Sequence, residues 1–434
     1  MKLGDILAET LNYDPSAVLF GHSGSTSAQP VISKITTMIR QKNLSIKIIV
    51  GGVFPTYHWQ EILETSPQID CIVCGEGEEM VVNLIKAIEE NSPLELVKGI
   101  AIRRNGIAIR TSPASIIEDL NAYRVGWELM GEYNYSYLGK RKAVVIQFSR
   151  GCPYSCSYCG QRLFWGKWRH RDPHLLAAEI EMLNKNYGVD VINFADENPA
   201  TDQKAWIEFL EALIEKKLKL ILVGSIRADS IVRDAKLLHL YKKAGFERFL
   251  LGIENYDESI LEKINKKTSI AVDREAIQLL RKNDILSMAT YVVGFGEEKT
   301  RDFYNSLKQL LSYDPDQIQL LYATPHKWTP YFEEIKEKRI IQPDQGKWDY
   351  KHQVLAMDNL KPWKVIIYVK LIEAIMQLRP RTLKRLFFHR DAGLRAAMRW
   401  YTSIGRRVWV HELLQFFFND RRQSRDIKLS EFWM

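Results

Sequence analysis

From residue 141 to residue 330 the chain repeats one unit six times: a short apolar run that reads as a strand, then a longer stretch with helical spacing. The predicted strands are Ala143–Phe148, Val189–Phe194, Leu218–Val223, Arg248–Ile253, Ser287–Val293 and Gln317–Ala323. Helical patterns separate them, among them Leu175–Leu183, Trp206–Leu213 and Lys236–Ala244. Strands joined through helices run parallel, and a parallel sheet is stable only when helices cover it. The expected fold class is α/β. Six units in series imply an open, partial barrel whose working end is the carboxyl end of its strands.

Residues 1–95 show the same alternation on a smaller scale. After a helical stretch at Lys2–Leu11, strands are predicted at Ala17–Phe20, Ile46–Val50 and Asp70–Val73. Each runs into a glycine-bearing turn: Gly21-His22-Ser23-Gly24-Ser25, Gly51-Gly52 and Gly75-Glu76-Gly77-Glu78. Helical patterns lie near residues 28–42 and 79–90. This is the pattern of a doubly wound sheet, where ligands bind beyond the carboxyl ends of the strands. Residues 96–140 read as a linker segment with a hairpin, Ile100–Arg103 and Ile107–Thr111 around Asn105-Gly106. Residues 331–434 read as a helical, basic region with long amphipathic stretches near 362–378 and 393–417. The expected domains are 1–95, 96–140, 141–330 and 331–434.

No apolar run reaches the ~18 residues of a membrane-spanning helix. MKLGDILAET lacks the basic flank and apolar stretch of a secretory signal. Five cysteines in 434 residues do not suggest a disulfide framework. A cytoplasmic location is expected. Charge is concentrated: residues 376–426 hold twelve Arg/Lys against four Asp/Glu, an excess equal to the whole chain's net +8. Such a patch attracts an anionic partner, whether acidic substrate, lipid surface or nucleic acid. Aromatics alternate with arginine through Arg399–Phe418, which makes peripheral membrane contact one reading and a solvated helix face another. No RNA-binding module is recognisable, so no nucleic acid is expected.

Three cysteines stand together in Ser149-Arg150-Gly151-Cys152-Pro153-Tyr154-Ser155-Cys156-Ser157-Tyr158-Cys159, directly after the first barrel strand. Three thiolates on one loop can ligate three irons of a cubane cluster. The fourth iron is then open to a ligand that chelates through amino and carboxylate groups. A zinc site would ask for a fourth Cys or His, and the nearest histidine, His170, is eleven residues on. Cys71 and Cys74 form a further pair at a strand end, where residues three apart face opposite sides, and read as core.

CxxxCxxC with Tyr158 before its last cysteine resembles the radical S-adenosylmethionine (SAM) superfamily. The resemblance implies a [4Fe–4S] cluster on Cys152, Cys156 and Cys159, with SAM at the open iron. It also assigns expectations to later strand ends. Asp196 and Glu197, in Asp196-Glu197-Asn198 after the second strand, would receive the SAM amino group. Ser225 and Arg227, after the third, would contact its carboxylate or ribose. Glu254 ends the fourth strand, and Gly294-Phe295-Gly296-Glu297 after the fifth is similar to a GxxE element beside the adenine. With Tyr158, these form the expected cofactor-binding set.

Two further stretches narrow the resemblance. Phe164-Trp165-Gly166-Lys167-Trp168-Arg169-His170-Arg171-Asp172-Pro173 and Ala397-Met398-Arg399-Trp400-Tyr401-Thr402-Ser403-Ile404-Gly405-Arg406-Arg407-Val408-Trp409 resemble the anaerobic magnesium-protoporphyrin IX monomethyl ester oxidative cyclase family. The Gly51-Gly52 and Gly75-Glu76-Gly77-Glu78 turns are similar to those of the cobalamin-binding domain preceding the barrel in that branch. The resemblance implies closure of the fifth (bacterio)chlorophyll ring with oxygen taken from water, a porphyrin-type substrate, cobalamin as a further cofactor, and an external electron donor of ferredoxin or flavodoxin type. The SAM-derived radical would abstract hydrogen from the propionate methyl ester side chain. Basic residues of the tail would pair with the other propionate, and Phe164, Trp165 and Trp168 either stack on the macrocycle or pack the loop.

The family's domain opens with further strands before Ala17–Phe20, so the cobalamin-binding-like domain is expected here in shortened form. It also lacks DxHxxG, leaving His22 and His58 as the nearby histidines, which read as polar loop residues. Two other functions share many of these residues. One is another reaction of the branch, such as methyl transfer to an unactivated carbon. The other is a non-catalytic cofactor-binding regulator.

Overall fold

Two sheets face each other across the cluster loop. The computed structural model describes residues 2–22, 26–131, 135–161, 163–421 and 427–432. The turn residues Ser23, Gly24 and Ser25 and the tail residues Arg422, Arg425 and Asp426 lie outside them.

The first sheet runs in chain order: β1 (Ala17–His22), β2 (Lys47–Gly52), β3 (Cys71–Val73), β4 (Ile100–Arg104) and β5 (Ile107–Arg110). The first three are parallel, with Val18 opposite Ile48 and Ile49 opposite Cys71. Period-two alternation sends Ile48 and Val50 to one face, against Ile35 and Ile39 of the helix Gln29–Lys42. It sends Ile49 to the other, against Met80 and Leu84 of the helix Gly77–Glu89. The hairpin turns at Asn105 and Gly106, both at positive φ, as a two-residue turn of this hand requires. Rather than standing apart, β4 pairs antiparallel with β3, Val73 opposite Ile100. The segment read as a linker thus adds two strands to the sheet.

The second sheet holds the predicted barrel strands, with ends moved by one to three residues. After β6 (Ser136–Tyr137) and β7 (Arg141–Ile146), a two-residue ribbon, β8 (Ser149–Arg150) with β9 (Arg169–His170), clasps the ends of the cluster loop. Then come β10 (Val191–Phe194), β11 (Ile221–Ser225), β12 (Phe246–Glu254), β13 (Leu286–Val293) and β14 (Gln317–Tyr322). The order is β14-β13-β12-β11-β10-β7-β6, parallel except for β6. Ile192 stands opposite both Val144 and Leu222, and Tyr291 opposite Leu320. Trp206 and Phe209, on one face of the helix Gln203–Glu215, pack with Phe148, Phe194 and Phe246. All five are buried, and truncating one such aromatic costs about 3–5 kcal/mol.

Three C-terminal helices, Pro362–Leu378, Pro380–Phe388 and Ala392–Gln415, close the far side. The first buries Val365, Val369 and Ile372 in the barrel core. Tyr401 donates to Glu247 at 2.9 Å beside the start of β12, and Arg379 and Arg385 reach Asp314 just before β14. The Arg379 and Tyr401 ends of these helices therefore sit at the amino ends of the strands, whereas Pro362, Ile366 and Glu412 lie beside Tyr322 at the carboxyl end of β14. Among the described residues, no helix is long and apolar enough to cross a membrane.

Candidate functional site at the carboxyl ends of both sheets

The cluster loop is held by contacts from outside its own sequence. Gly151 enters it at φ +88, where a Cβ would lie 2.8 Å from the Lys167 carbonyl oxygen. Asn265 Nδ2 donates to the Ser155 carbonyl and hydroxyl at 3.0 and 2.7 Å, and Ser157 N–H donates to the Ile264 carbonyl. Burial pushes the Cys152 thiol up and that of Cys159 up to about 11, with the neighbouring cluster-loop thiols adding to both effects. The Arg227 guanidinium pulls Cys152 the other way. No three His, Cys, Asp or Glu side chains among the described residues converge on one point as a mononuclear site requires. A cubane takes its thiolates at three separate irons. His170, the candidate fourth zinc ligand, stacks on Phe148, its Nδ1 2.8 Å from the Arg171 carbonyl.

Around the loop lie the strand-end residues. Glu254 closes β12 at φ +53, a strained conformation for a side chain of its kind. Its carboxylate pairs with Lys266 at 2.8 Å, both largely buried. Tyr158 packs edge-on against Phe295, and burial together with Glu254 raises its hydroxyl well above the usual range. Arg227 lies over the Tyr154 ring at 3.5 Å, pairs with Asp229 and donates to the carbonyls of Lys266 and Lys267. Ser225 ends β11 half-buried. Gly294, at φ +97, donates its N–H at 2.7 Å to Glu298.

Two of the expected ligands face elsewhere. Asp196 gives both oxygens to the first barrel strand end: one accepts from Ser149 N–H and hydroxyl, the other from Phe148 N–H. Burial raises its carboxyl to about 7. Glu297 is exposed, pairs with Lys338 and accepts from Asp358 N–H, so the turn after β13 is capped by Glu298.

Glu197 is placed differently. One oxygen accepts the Trp165 indole N–H at 2.8 Å, while Oε2 is buried with no hydrogen-bond partner among the described residues. Burial raises its carboxyl. An unpartnered buried carboxylate oxygen is costly alone and suits a cationic ligand group such as an ammonium. It lines a cavity of about 500 Å³ walled on the other side by Gly21, Gly51, Gly75 and Gly77 of the first sheet's turns. These glycines leave part of that wall without side chains, which fits close approach of a flat cofactor such as cobalamin. His22 also lines the cavity, stacked on Phe54, with burial lowering its pKa to about 4. His58 also stacks on Phe54, at 4.2 Å between ring centroids, and pairs with Glu61.

Phe164 and Trp165 face the same cavity, whereas Trp168 donates to the Asn198 carbonyl and packs the loop. The two sheets are bolted together by a buried pair, Glu76 with Arg169 at 2.6 Å. Part of the turn read as a cofactor contact is therefore a joint. None of the described tail arginines lines this cavity, so the expected pairing with a substrate propionate has no support in the placement. Sequence reasoning missed Lys266, Asn265, Glu298 and the Trp165–Glu197 bond. None has a spacing signal, because each meets its partner only through the fold.

Residues 146–310 match the family model of the radical SAM superfamily, and residues 3–85 that of the B12 binding domain. The chain is 52% identical over 429 residues to the anaerobic magnesium-protoporphyrin IX monomethyl ester cyclase of Synechocystis sp., covering 99% of this chain and 86% of that one. It belongs to this cyclase family. The Cereibacter sphaeroides protein of the same name is 34% identical over 358 residues, 80% of this chain and 57% of its own length. Among solved structures, the cobalamin-dependent SAM radical enzyme OxsB with aqua-cobalamin bound superposes with a TM-score of 0.69 at 18% identity, covering 96% of this chain and 66% of that one. The radical SAM methyltransferase TsrM from Kitasatospora setae gives 0.63 at 18% identity, over 77% of this chain and 66% of that one. These two likenesses concern the fold alone. As a family member the chain is a radical SAM enzyme, with a [4Fe–4S] cluster and SAM as its cofactors.

Proposed function

We propose that the chain performs the anaerobic oxidative cyclisation of magnesium-protoporphyrin IX monomethyl ester, forming the fifth ring of (bacterio)chlorophyll. The observation that carries this reading is the shared cavity, lined by Glu197 at the barrel's strand ends and by the glycine turns of the first, cofactor-type sheet. The relatives supply the identity of the substrate.

Cys152, Cys156 and Cys159 would each hold one iron. When bound, the cluster and SAM supply a carbon radical strong enough to take hydrogen from an unactivated C–H bond. Glu197 would hold the SAM ammonium through Oε2, with Trp165 fixing the carboxylate's rotamer. Ser225, Arg227, Glu254 and Gly294 would border the rest of SAM, and Tyr158 would pack beside it. The glycine turns would hold cobalamin. Phe164 and Trp165 would lie against the macrocycle and keep water from the reacting side chain. An external donor of ferredoxin or flavodoxin type would supply the electron.

The test is an anaerobic assay of iron-reconstituted protein with SAM, dithionite and the magnesium-porphyrin ester, with and without cobalamin. Formation of 5′-deoxyadenosine together with a red-shifted protochlorophyllide spectrum is expected. SAM cleavage with an unchanged porphyrin would transfer the site to another reaction, such as methylation. Absence of both from a fully loaded cluster would leave a regulatory role.

A further inference from the structure

We propose that the outer face of the three C-terminal helices is a docking surface for an anionic lipid bilayer. The proposal stands on the surface itself and does not depend on which substrate the cavity takes.

The helix Pro362–Leu378 turns one side into the barrel, yet its opposite side is also apolar. Trp363, Leu371, Ile375 and Leu378 recur at helical spacing there and are exposed. On the neighbouring helices Phe387, Phe388, Ile404, Val408, Leu414 and Phe418 are exposed as well, Phe388 by 78% and Phe418 by 80%. The three helices are one unit: Gln377 Nε2 donates to Thr402 Oγ1, the Trp409 indole donates to the Lys370 carbonyl, and Arg399 donates to the Leu386 carbonyl. Single exposed apolar residues are ordinary on a protein surface, but this many on one packed unit mark an interaction site.

The charge on the same unit selects the partner. Lys384, Arg390, Arg406 and Arg407 are exposed and pair with no carboxylate among the described residues. Arg395 and Arg399 donate only to carbonyl oxygens, and the Arg399 guanidinium lies 5.6 Å from the Phe387 ring centroid. Apolar side chains entering the acyl boundary while arginines reach lipid phosphates is the arrangement of an interfacial helix. A second copy of the chain fits poorly, because a two-fold contact would set these unpaired arginines against their own images. Nucleic acid offers phosphates but no partner for Leu, Ile and Val. None of these side chains lines the cavity between the two sheets, so docking there leaves that cavity uncovered.

The experiment is co-sedimentation of the full-length, iron-loaded protein with two vesicle types, phosphatidylcholine alone and phosphatidylcholine with phosphatidylglycerol. We expect binding to the anionic vesicles, weakening as salt rises, and little binding to the neutral ones. The Phe388→Asp/Phe418→Asp and Arg406→Glu/Arg407→Glu pairs should each lower the anionic-vesicle partition about tenfold, with SAM cleavage and circular dichroism unchanged. Three results would overturn the proposal: no vesicle binding, binding that both variant pairs leave intact, or a concentration-dependent dimer in the parent that these variants dissolve. Competition by a random RNA oligomer that outlasts vesicle binding as salt rises would reassign the surface to nucleic acid.

Discussion

The Trp165 indole N–H fixes one oxygen of Glu197 at 2.8 Å and leaves the other buried with no hydrogen-bond partner among the described residues. A charge-assisted hydrogen bond to that second oxygen contributes roughly 1.5–3 kcal/mol, a factor of about 10–100 in affinity. Glu197→Gln keeps an acceptor for Trp165 but removes the negative charge. Its SAM affinity, measured by anaerobic equilibrium dialysis, should fall by that factor, while iron content stays at the parent level. An unchanged affinity would remove Glu197 from the SAM site.

Glu254 and Lys266 give a different kind of prediction. Both are largely buried and each is the other's counter-ion. Removing one partner leaves a buried charge, which typically costs about 3–5 kcal/mol, whereas removing both is often close to neutral. Glu254→Gln alone should therefore lower the denaturation midpoint strongly, and adding Lys266→Met should restore much of it. Additive losses in the double variant would show that the pair is not coupled.

The six barrel strands and the first three strands of the N-terminal sheet were legible because burial on both faces leaves a continuous apolar run, and a run of that length has few alternatives. The hairpin Ile100–Arg110 was legible as a hairpin, but its pairing with β3 was not, since edge pairing leaves no mark in either strand. The cysteine loop announced itself by spacing. Asp196 and Glu197 could not be told apart in sequence: neighbouring residues after a strand point opposite ways, so one caps Ser149 and the other reaches the cavity. Glu297 and Glu298 repeat that lesson three strands later.

His326 is fully buried between the two domains, with Nδ1 3.2 Å from Thr26 Oγ1 and Nε2 close to the Tyr350 hydroxyl at 2.5 Å. Burial, with His58 adding to it, lowers its pKa to about 4. A base depressed in the fold binds its proton more readily when unfolded. Its share of stability is thus complete above about pH 6.5 and is lost as pH falls toward 4, up to roughly 3 kcal/mol. Asp196 and Asp273, each raised to about 7 by burial, act in the opposite sense over much of this window, so the parent's own curve is a poor readout. The difference between parent and His326→Gln is the useful quantity. The parent's advantage in thermal midpoint should be largest near pH 7 and shrink toward pH 4.5. A constant difference would mean that His326 is not held neutral.

Cys156 and Cys71 are both buried thiols, yet the fold gives them opposite expectations. Cys71 sits inside β3 against Ile49 and Val73, and Cys74 points to the other face among Ile48 and Phe54. Burial pushes both thiols up, as it does Cys152 and Cys159, so what sets Cys71 and Cys74 apart is their place in the packed sheet core rather than on a loop. Cys156 stands on a loop fixed by Asn265, which donates to Ser155, and by the Ser157 N–H, which donates to the Ile264 carbonyl. Cys156→Ala should lose bound iron on anaerobic reconstitution and with it all SAM cleavage. Cys71→Ala should keep both, at a stability loss of about 1 kcal/mol from the small void. The two readouts together separate ligation from folding: a variant that unfolds loses its circular dichroism, whereas a variant that only lacks a ligand keeps it. Equal loss of iron from both variants, with the fold intact, would place the cluster elsewhere in the chain.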